Sequence, residues 1–349
     1  MKHIFCVHSP ITYLLATLII NSKKLSNNDV ILLVKKIKLD FGNIQSFMAF
    51  ESTARSVLKK IIYLNEPRAF DNYITSITQK EKFTAYVPLM DVYHRLLVTH
   101  SNCVNFNFIE EGMMSYRKST QLNHLYRNYK FSLRHSILNN PREVKKSIIY
   151  ILRGWTLRIL EMPFTYEAYA HLKGVEFYSI SPEAYPIASM EKKIVLPLKS
   201  SPTMNALAKG ILLTEPSLIW LEDNYAENNG IAIKVYEKAI EQSLSRVKKK
   251  FPQHQIYLKL RPSTTIKDSP VARILDSKNI SFLKIDDDVV LEALMAINKN
   301  LTFIGNVSSA LFYAKQMGHS SWSIYDFFDI HSNRTFNDFP LYWNNVQKL

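Results

Sequence analysis

Glycine is scarce in this sequence, 8 in 349 residues, which argues against a glycine-rich phosphate loop of the Walker or dinucleotide-binding kind. Cysteine is scarcer. Cys6 and Cys103 stand alone, without metal-ligand spacing, which argues against a disulfide framework or a structural zinc site and fits a reducing cytoplasm. No run of about 20 uninterrupted apolar residues occurs, so no membrane-spanning helix is expected. Lys2 and the apolar stretch 4–20 could be mistaken for a signal peptide, but His8, Ser9, Pro10 and Thr12 interrupt it where the apolar core should be unbroken. The histidines show no His-x-x-x-His spacing, and there is no Gly-x-Ser-x-Gly elbow. Tyrosines and basic residues abound without a recognised nucleic-acid motif, so nucleic acid is not the expected partner.

What is present is positive charge: 44 basic against 30 acidic residues, a formal net charge of +14. That balance points to an anionic partner without naming it; acidic lipid, a nucleotide sugar and a polyanionic glycan all meet the description. Hydrophobic residues make up 47% of the chain, an ordinary globular share, and the length favours two domains of about 150 to 200 residues, each able to bury a core.

The order of elements predicts the fold class. Residues 3–7 read as a strand, Ser9-Pro10 as a helix start and 12–21 as the helix that follows; residues 29–34 (DVILLV) form an apolar, β-branched run suited to burial on both faces of a parallel sheet. Helical spacing runs over 47–63, and strands are predicted at 83–89 and 104–109. The segment 116–162 is helical, basic and rich in large apolar residues, and its part 117–158 suits peripheral contact with an anionic membrane as well as plain packing on a sheet. Proline and serine cluster at Ser181-Pro182, Pro186, Pro197 and Pro202, where a domain boundary is expected. Beyond it, strands at 218–221, 255–260, 280–285, 301–307 and 322–325 alternate with helices at 230–250, 290–298 and 308–316. Alternation in both halves predicts an α/β protein of two Rossmann-like doubly wound domains, 1–195 and 196–330, with a tail at 331–349 that packs back across the boundary.

In such sheets ligands sit at the carboxyl ends of strands, and four strand ends carry chemistry. Glu110-Glu111-Gly112 follows the strand 104–109; a neighbouring carboxylate can raise one of the pair towards a useful general base, although a surface pair before a turn glycine has the same look. Lys259 and Arg261, two residues apart at the end of 255–260 and stopped by Pro262, form either a phosphate grip or a solvated cationic edge. Ser308 and Ser309 open a helix after Gly305-Asn306-Val307, where hydroxyls and free N–H groups suit a phosphate, or where a serine only caps its helix. Asp286, Asp287 and Asp288 with Glu292 lead into the helix at 290; they suit its dipole, one carboxylate could accept both hydroxyls of a ribose, and no metal is required.

Taken in order, Glu110-Glu111-Gly112, Arg261-Pro262 and Ser308-Ser309 resemble the three motifs of bacterial sialyltransferases of the lipooligosaccharide and capsular polysialyltransferase kind: an acidic pair with Gly, His-Pro, and Ser-Ser. The opening Phe5-Cys6-Val7-His8-Ser9-Pro10 and the segment Ser181-Pro182-Glu183-Ala184-Tyr185-Pro186 are similar to segments of the same families. The resemblance implies the GT-B architecture and an inverting, metal-independent transfer without a cofactor. CMP-sialic acid would be the donor, and a galactoside or sialoside of a bacterial lipooligosaccharide, O-antigen or capsule the acceptor. It implies a cytoplasmic protein working at the inner face of the membrane. By position, Glu110 or Glu111 would be the base, Ser308 and Ser309 would hold the phosphate, Glu292 the ribose, and Lys259, Arg261 and Pro262 would line the donor site. Arg261 stands where the family has its histidine acid, and a guanidinium cannot give up its proton at neutral pH. That departure keeps open the transfer of another CMP-activated acidic sugar such as Kdo, or a non-catalytic glycan- or membrane-binding role.

Overall fold

The computed structural model describes residues 1–35, 39, 41–51, 66–116, 166–196, 198–213, 216–223, 231–261, 264–328 and 340–349. The expected membrane-contact segment 117–158 therefore lies outside the described residues. The chain forms two compact units, Met1–Glu111 with Lys118–Leu196, and Gly112–Arg117 with Pro197–Leu349. Among the described residues no helix is long and apolar enough to cross a membrane.

In the first unit the strands β1 (Lys2–Val7), β2 (Val30–Val34), β3 (Gln45–Met48), β4 (Phe83–Val87), β5 (Cys103–Ile109), β6 (Phe177–Ser179) and β7 (Lys193–Val195) lie in the order β3-β2-β1-β4-β5-β6-β7. Every pairing is parallel. All five residues of β2 and of β4 are buried, the pattern of strands covered on both faces. Helix α1 (Pro10–Ser22) starts where the sequence demands: Ser9 and Thr12 form a reciprocal capping box, and Pro10 takes the first turn, where its missing N–H costs nothing. The helix expected over 47–63 is replaced at its start by β3, because Gln45–Met48 finds backbone partners along Ile31–Val34 of β2. Helices α2 (Glu66–Ile77) and α3 (Val92–Val98) complete the described part of this unit's frame.

In the second unit α4 (Pro202–Leu207), β8 (Ser217–Leu221), α5 (Ile233–Lys250), β9 (Gln255–Lys259), α6 (Pro270–Ser277), β10 (Phe282–Ile285), α7 (Leu291–Ile297), β11 (Thr302–Gly305), α8 (Ser309–Gln316) and β12 (Ser320–Ser323) follow in turn. The sheet order is β10-β9-β8-β11-β12-β13, again parallel throughout. Helix α5 buries Tyr236, Ala239, Ile240, Ser243, Leu244 and Val247, a stripe at helical spacing, and closes on Lys248, Lys249 and Lys250, where the dipole favours cations. That stripe packs on Leu218, Trp220, Leu258 and Ile304 of the sheet. In the described part of the tail, α9 (Pro340–Asn345) precedes β13 (Gln347–Lys348), which extends the second unit's sheet by pairing with Trp322 and Ser323.

Both sheets reverse their winding once. In the first, the chain moves from β1 outwards to β3 and returns to β4; in the second, it moves from β8 to β10 and returns to β11. Each reversal opens a crevice at the carboxyl ends of the two central strands, the place where such sheets hold ligands.

A buried histidine makes the second unit sensitive to acid. His319 accepts the Leu301 N–H at Nδ1 (3.3 Å), so Nε2 carries the proton and donates to the Met295 carbonyl (3.0 Å). Burial lowers its pKa below the usual 6.5. The unfolded chain then binds the extra proton first as pH falls below 6.5, so this contribution to stability is full above that value and is lost as pH drops towards the folded one. His319→Gln can keep both hydrogen bonds without titrating. Its urea midpoint is expected to fall less than that of the wild type between neutral and mildly acidic pH.

Candidate active site

The first unit's crevice is a cleft of about 300 Å³ lined by residues from the ends of β1, β2, β3 and β5 and from α3, among them His8, Lys35, Phe50, Asp91, His94 and Glu111. The acidic pair splits across it. Glu110 is fully buried; its backbone N–H donates to the Tyr178 carbonyl (2.9 Å) and its carboxylate accepts the Ile180 N–H (2.8 Å), which ties the end of β5 to the end of β6. Glu111 turns the other way into the cleft, where Oε1 lies 2.6 Å from His8 Nε2. A carboxylate only accepts, so Nε2 carries the hydrogen of that bond. Of the two candidate bases, Glu111 therefore has the position for proton transfer and Glu110 holds the frame.

The opposite wall is α3. Asp91 caps that helix by accepting the His94 N–H (2.9 Å), and its carboxylate also lies 3.2 Å from His94 Nδ1. Burial, the largest influence, lowers the His94 pKa, while Asp91 and Glu111 oppose it and His8 adds to it. His94 is thus neutral at neutral pH. Phe50, Phe70 and Tyr93 form an aromatic side to the cleft, with the Tyr93 hydroxyl held by Glu66 (2.6 Å).

The second unit's crevice is built around the turn from β11 to α8. Gly305 lets β11 lie close to β8, because a side chain there would stand 3.2 Å from the Leu221 backbone oxygen and Cβ, a tight contact that would push the strands slightly apart. Asp223, two residues beyond β8, accepts the Val307 N–H (3.0 Å) across the reversal point. Ser308 caps α8 by accepting the Ala310 N–H (3.2 Å), and its own N–H donates to the Tyr342 hydroxyl (3.1 Å). Ser323 donates to the Asn306 carbonyl, and Ile324 to that of Gly305 (2.8 Å). Ser309 heads the helix against Gly112, whose φ of +61° suits glycine and whose missing Cβ would stand 3.2 Å from Ser309 Oγ. The result is a rigid helix N-terminus with a hydroxyl at its first residue, a geometry suited to a phosphate.

The remaining donor-side candidates do different work. Lys259 turns its ammonium onto the carbonyls of Asp286 (2.5 Å), Asp287 (3.3 Å) and Val289 (3.0 Å), and burial brings its pKa down to about 8. It shapes the loop before α7. Glu292 lies buried in the first turn of α7, where burial raises its pKa and the nearby Lys259 charge opposes the rise. Arg261 leaves β9 near Glu222; burial raises the Glu222 pKa, while the Ser269 hydroxyl bonded to it and the Arg261 charge work against that rise. Pro262 lies outside the described residues. Asp287 and Asp288 are engaged by Lys284 (3.0 Å) and Lys209 (2.5 Å). His8, Asp223 and Tyr342 are the site residues that sequence reasoning passed over; the strand-end rule flags the first two, since each follows a predicted strand by one or two residues.

The sequence model described as alpha-2,8-polysialyltransferase (POLYST) matches residues 3–321. The chain belongs to the alpha-2,8-polysialyltransferase family. It is therefore a glycosyltransferase, and the match takes in the strand ends of both units. No curated protein matches the chain significantly. Among solved structures this polysialyltransferase-family chain is similar to a UDP-GlcNAc 2-epimerase from Neisseria meningitidis bound to UDP-GlcNAc, at 12% identity over 93% of this chain and 82% of that one, with a TM-score of 0.46. It is also similar to a sialyltransferase from Photobacterium damsela, at 11% identity over 91% and 72% of the two chains, with a TM-score of 0.49.

Proposed function

We propose that this protein transfers sialic acid from CMP-sialic acid to the hydroxyl of a galactoside or sialoside acceptor on a bacterial surface glycan, with inversion and without a metal or cofactor. The observation that carries the reading is Glu111, a carboxylate at the carboxyl end of β5, aimed into the first unit's cleft and held at 2.6 Å by His8. As the acceptor oxygen attacks the anomeric carbon, its proton passes to Glu111, the bond from that carbon to the phosphate oxygen breaks, and CMP leaves with the electron pair.

The charge that develops on the leaving phosphate is met in the second unit. Ser309 at the N-terminus of α8 offers its own N–H and O–H as donors, Ser308 keeps that terminus in shape, and Arg261 contributes a permanent positive charge. Arg261 acts by electrostatics alone, because its guanidinium stays protonated throughout. CMP is a good leaving group, so stabilising its charge can suffice. Glu292 is the carboxyl proposed to take the ribose hydroxyls.

The test is release of CMP from CMP-sialic acid with a panel of galactosides and sialosides. Acceptor-dependent release is expected, and the productive acceptor names the class. Binding of CMP with no release for any acceptor would overturn the donor assignment and favour another CMP-activated sugar or a binding role.

A further inference from the structure

The contact between His8 and Glu111 asks for a role of its own. His8 is the residue between the end of β1 and the cap of α1, and its backbone is fixed: the N–H groups of His8 and Ser9 both donate to Thr12 Oγ1, at 3.1 and 3.0 Å, within the capping box. A ring on so rigid a turn has little freedom. It is partly exposed at 25%, against 22% for Glu111, so the pair sits at the cleft wall. The 2.6 Å separation is at the short end of charge-assisted hydrogen bonds.

We propose that His8 is a positioning residue for the reaction: its Nε2–H fixes the Glu111 carboxylate in the plane that meets the acceptor hydroxyl. The proposal rests on the reading of Glu111 as the base. The other titratable groups in the cleft leave that task to His8. Asp91 is taken up in capping α3 through the His94 backbone N–H, and the Tyr93 hydroxyl is given to Glu66. Cys6 is a buried thiol at the end of β1, and Lys35 stands exposed just beyond β2. His94 approaches closely enough to feel both His8 and Glu111, yet burial holds it neutral, so it brings no competing cation to the carboxylate. Loss of alignment at a reacting group is enough to cost about 10²-fold in rate.

The experiment compares the full-length protein with His8→Ala, His8→Gln, His8→Met and Glu111→Gln. CMP release at saturating acceptor is followed across pH, with CMP affinity and thermal midpoint measured alongside. His8→Ala is expected to lower kcat by about 10- to 100-fold with the donor KM little changed. His8→Gln, whose amide can still donate, is expected to recover most of the rate. His8→Met fills the space without a donor, should behave like His8→Ala, and carries the comparison if the alanine variant does not fold. Wild-type kcat in His8→Ala, or in His8→Met in its place, would overturn the role of His8, while an inactive Glu111→Gln in the same series would leave the base standing. Equal losses in the glutamine variant and the non-donor variants would make His8 a packing residue and overturn the proposal too. An active Glu111→Gln would remove the base and the role of His8 with it.

Discussion

Glu111→Gln is expected to lower acceptor-dependent CMP release by about 10²- to 10⁴-fold, the usual worth of a positioned general base. Glutamine keeps the size of the side chain and can still accept from His8, so the loss should fall on kcat and leave folding and CMP binding in place. Glu110→Ala should behave in the opposite way. Glu110 is fully buried and takes the Ile180 N–H at 2.8 Å; its removal leaves that part-buried amide without this acceptor, at a cost of about 1–3 kcal/mol. The alanine variant should therefore show a lower thermal midpoint, with whatever fraction stays folded keeping the chemistry. Steady-state kinetics and thermal melts of the two variants separate the roles. A kinetic loss in Glu110→Ala with an unchanged midpoint, beside a fully active Glu111→Gln, would reverse the assignment.

How far this division could be read from sequence depends on which physical signal each residue leaves. Strands such as Val30–Val34 and Ser217–Leu221 announce themselves as short apolar runs because both faces of a parallel strand are covered. Three-residue strands leave no such run: β6 and β7 lie among the prolines and serines that mark the boundary. Helix α6 hides behind a Ser-Pro start in a stretch without a long apolar stripe, although Ser269 caps it by taking the Ala272 N–H (3.0 Å). The helical spacing at 47–63 misled at its start because Phe47 and Met48 satisfy a strand period as readily as a helix period over so few residues. At the site, spacing pairs residues but cannot say what their polar ends meet. Alternation puts Lys259 and Arg261 on one side of β9, yet the loop 286–289 folds over Lys259 and takes its ammonium, a contact between residues about 30 positions apart. The His8–Glu111 pair spans 103 positions and only the fold brings it together.

Asp223 offers the sharpest test of the second unit, because geometry and charge pull in opposite directions there. Its carboxylate fixes the turn by taking the Val307 N–H at 3.0 Å, one residue before the cap Ser308. The same negative charge stands beside a turn proposed to receive a phosphate, and on its own would repel it. Asp223→Asn removes the charge and keeps an oxygen that can accept the Val307 N–H, so CMP should bind as well as to the wild type or more tightly. Asp223→Ala removes both. A half-buried amide left without its acceptor costs on the order of 1–3 kcal/mol, and an unheld turn meets that cost by moving, which takes Ser308 and Ser309 with it. The loss of geometry should outweigh the relief of repulsion, since interactions between partly exposed charges are weak, at about 1 kcal/mol or less. CMP affinity measured by calorimetry is thus expected to fall by about tenfold or more in the alanine variant, one decade for each 1.4 kcal/mol. If both variants bind CMP as the wild type does, the phosphate does not rest on the turn that Asp223 holds, and the donor must be sought elsewhere in the second unit. If the asparagine variant is the weaker of the two, the carboxylate charge itself contributes to binding, through a cation or a ribose hydroxyl that the carboxylate contacts directly.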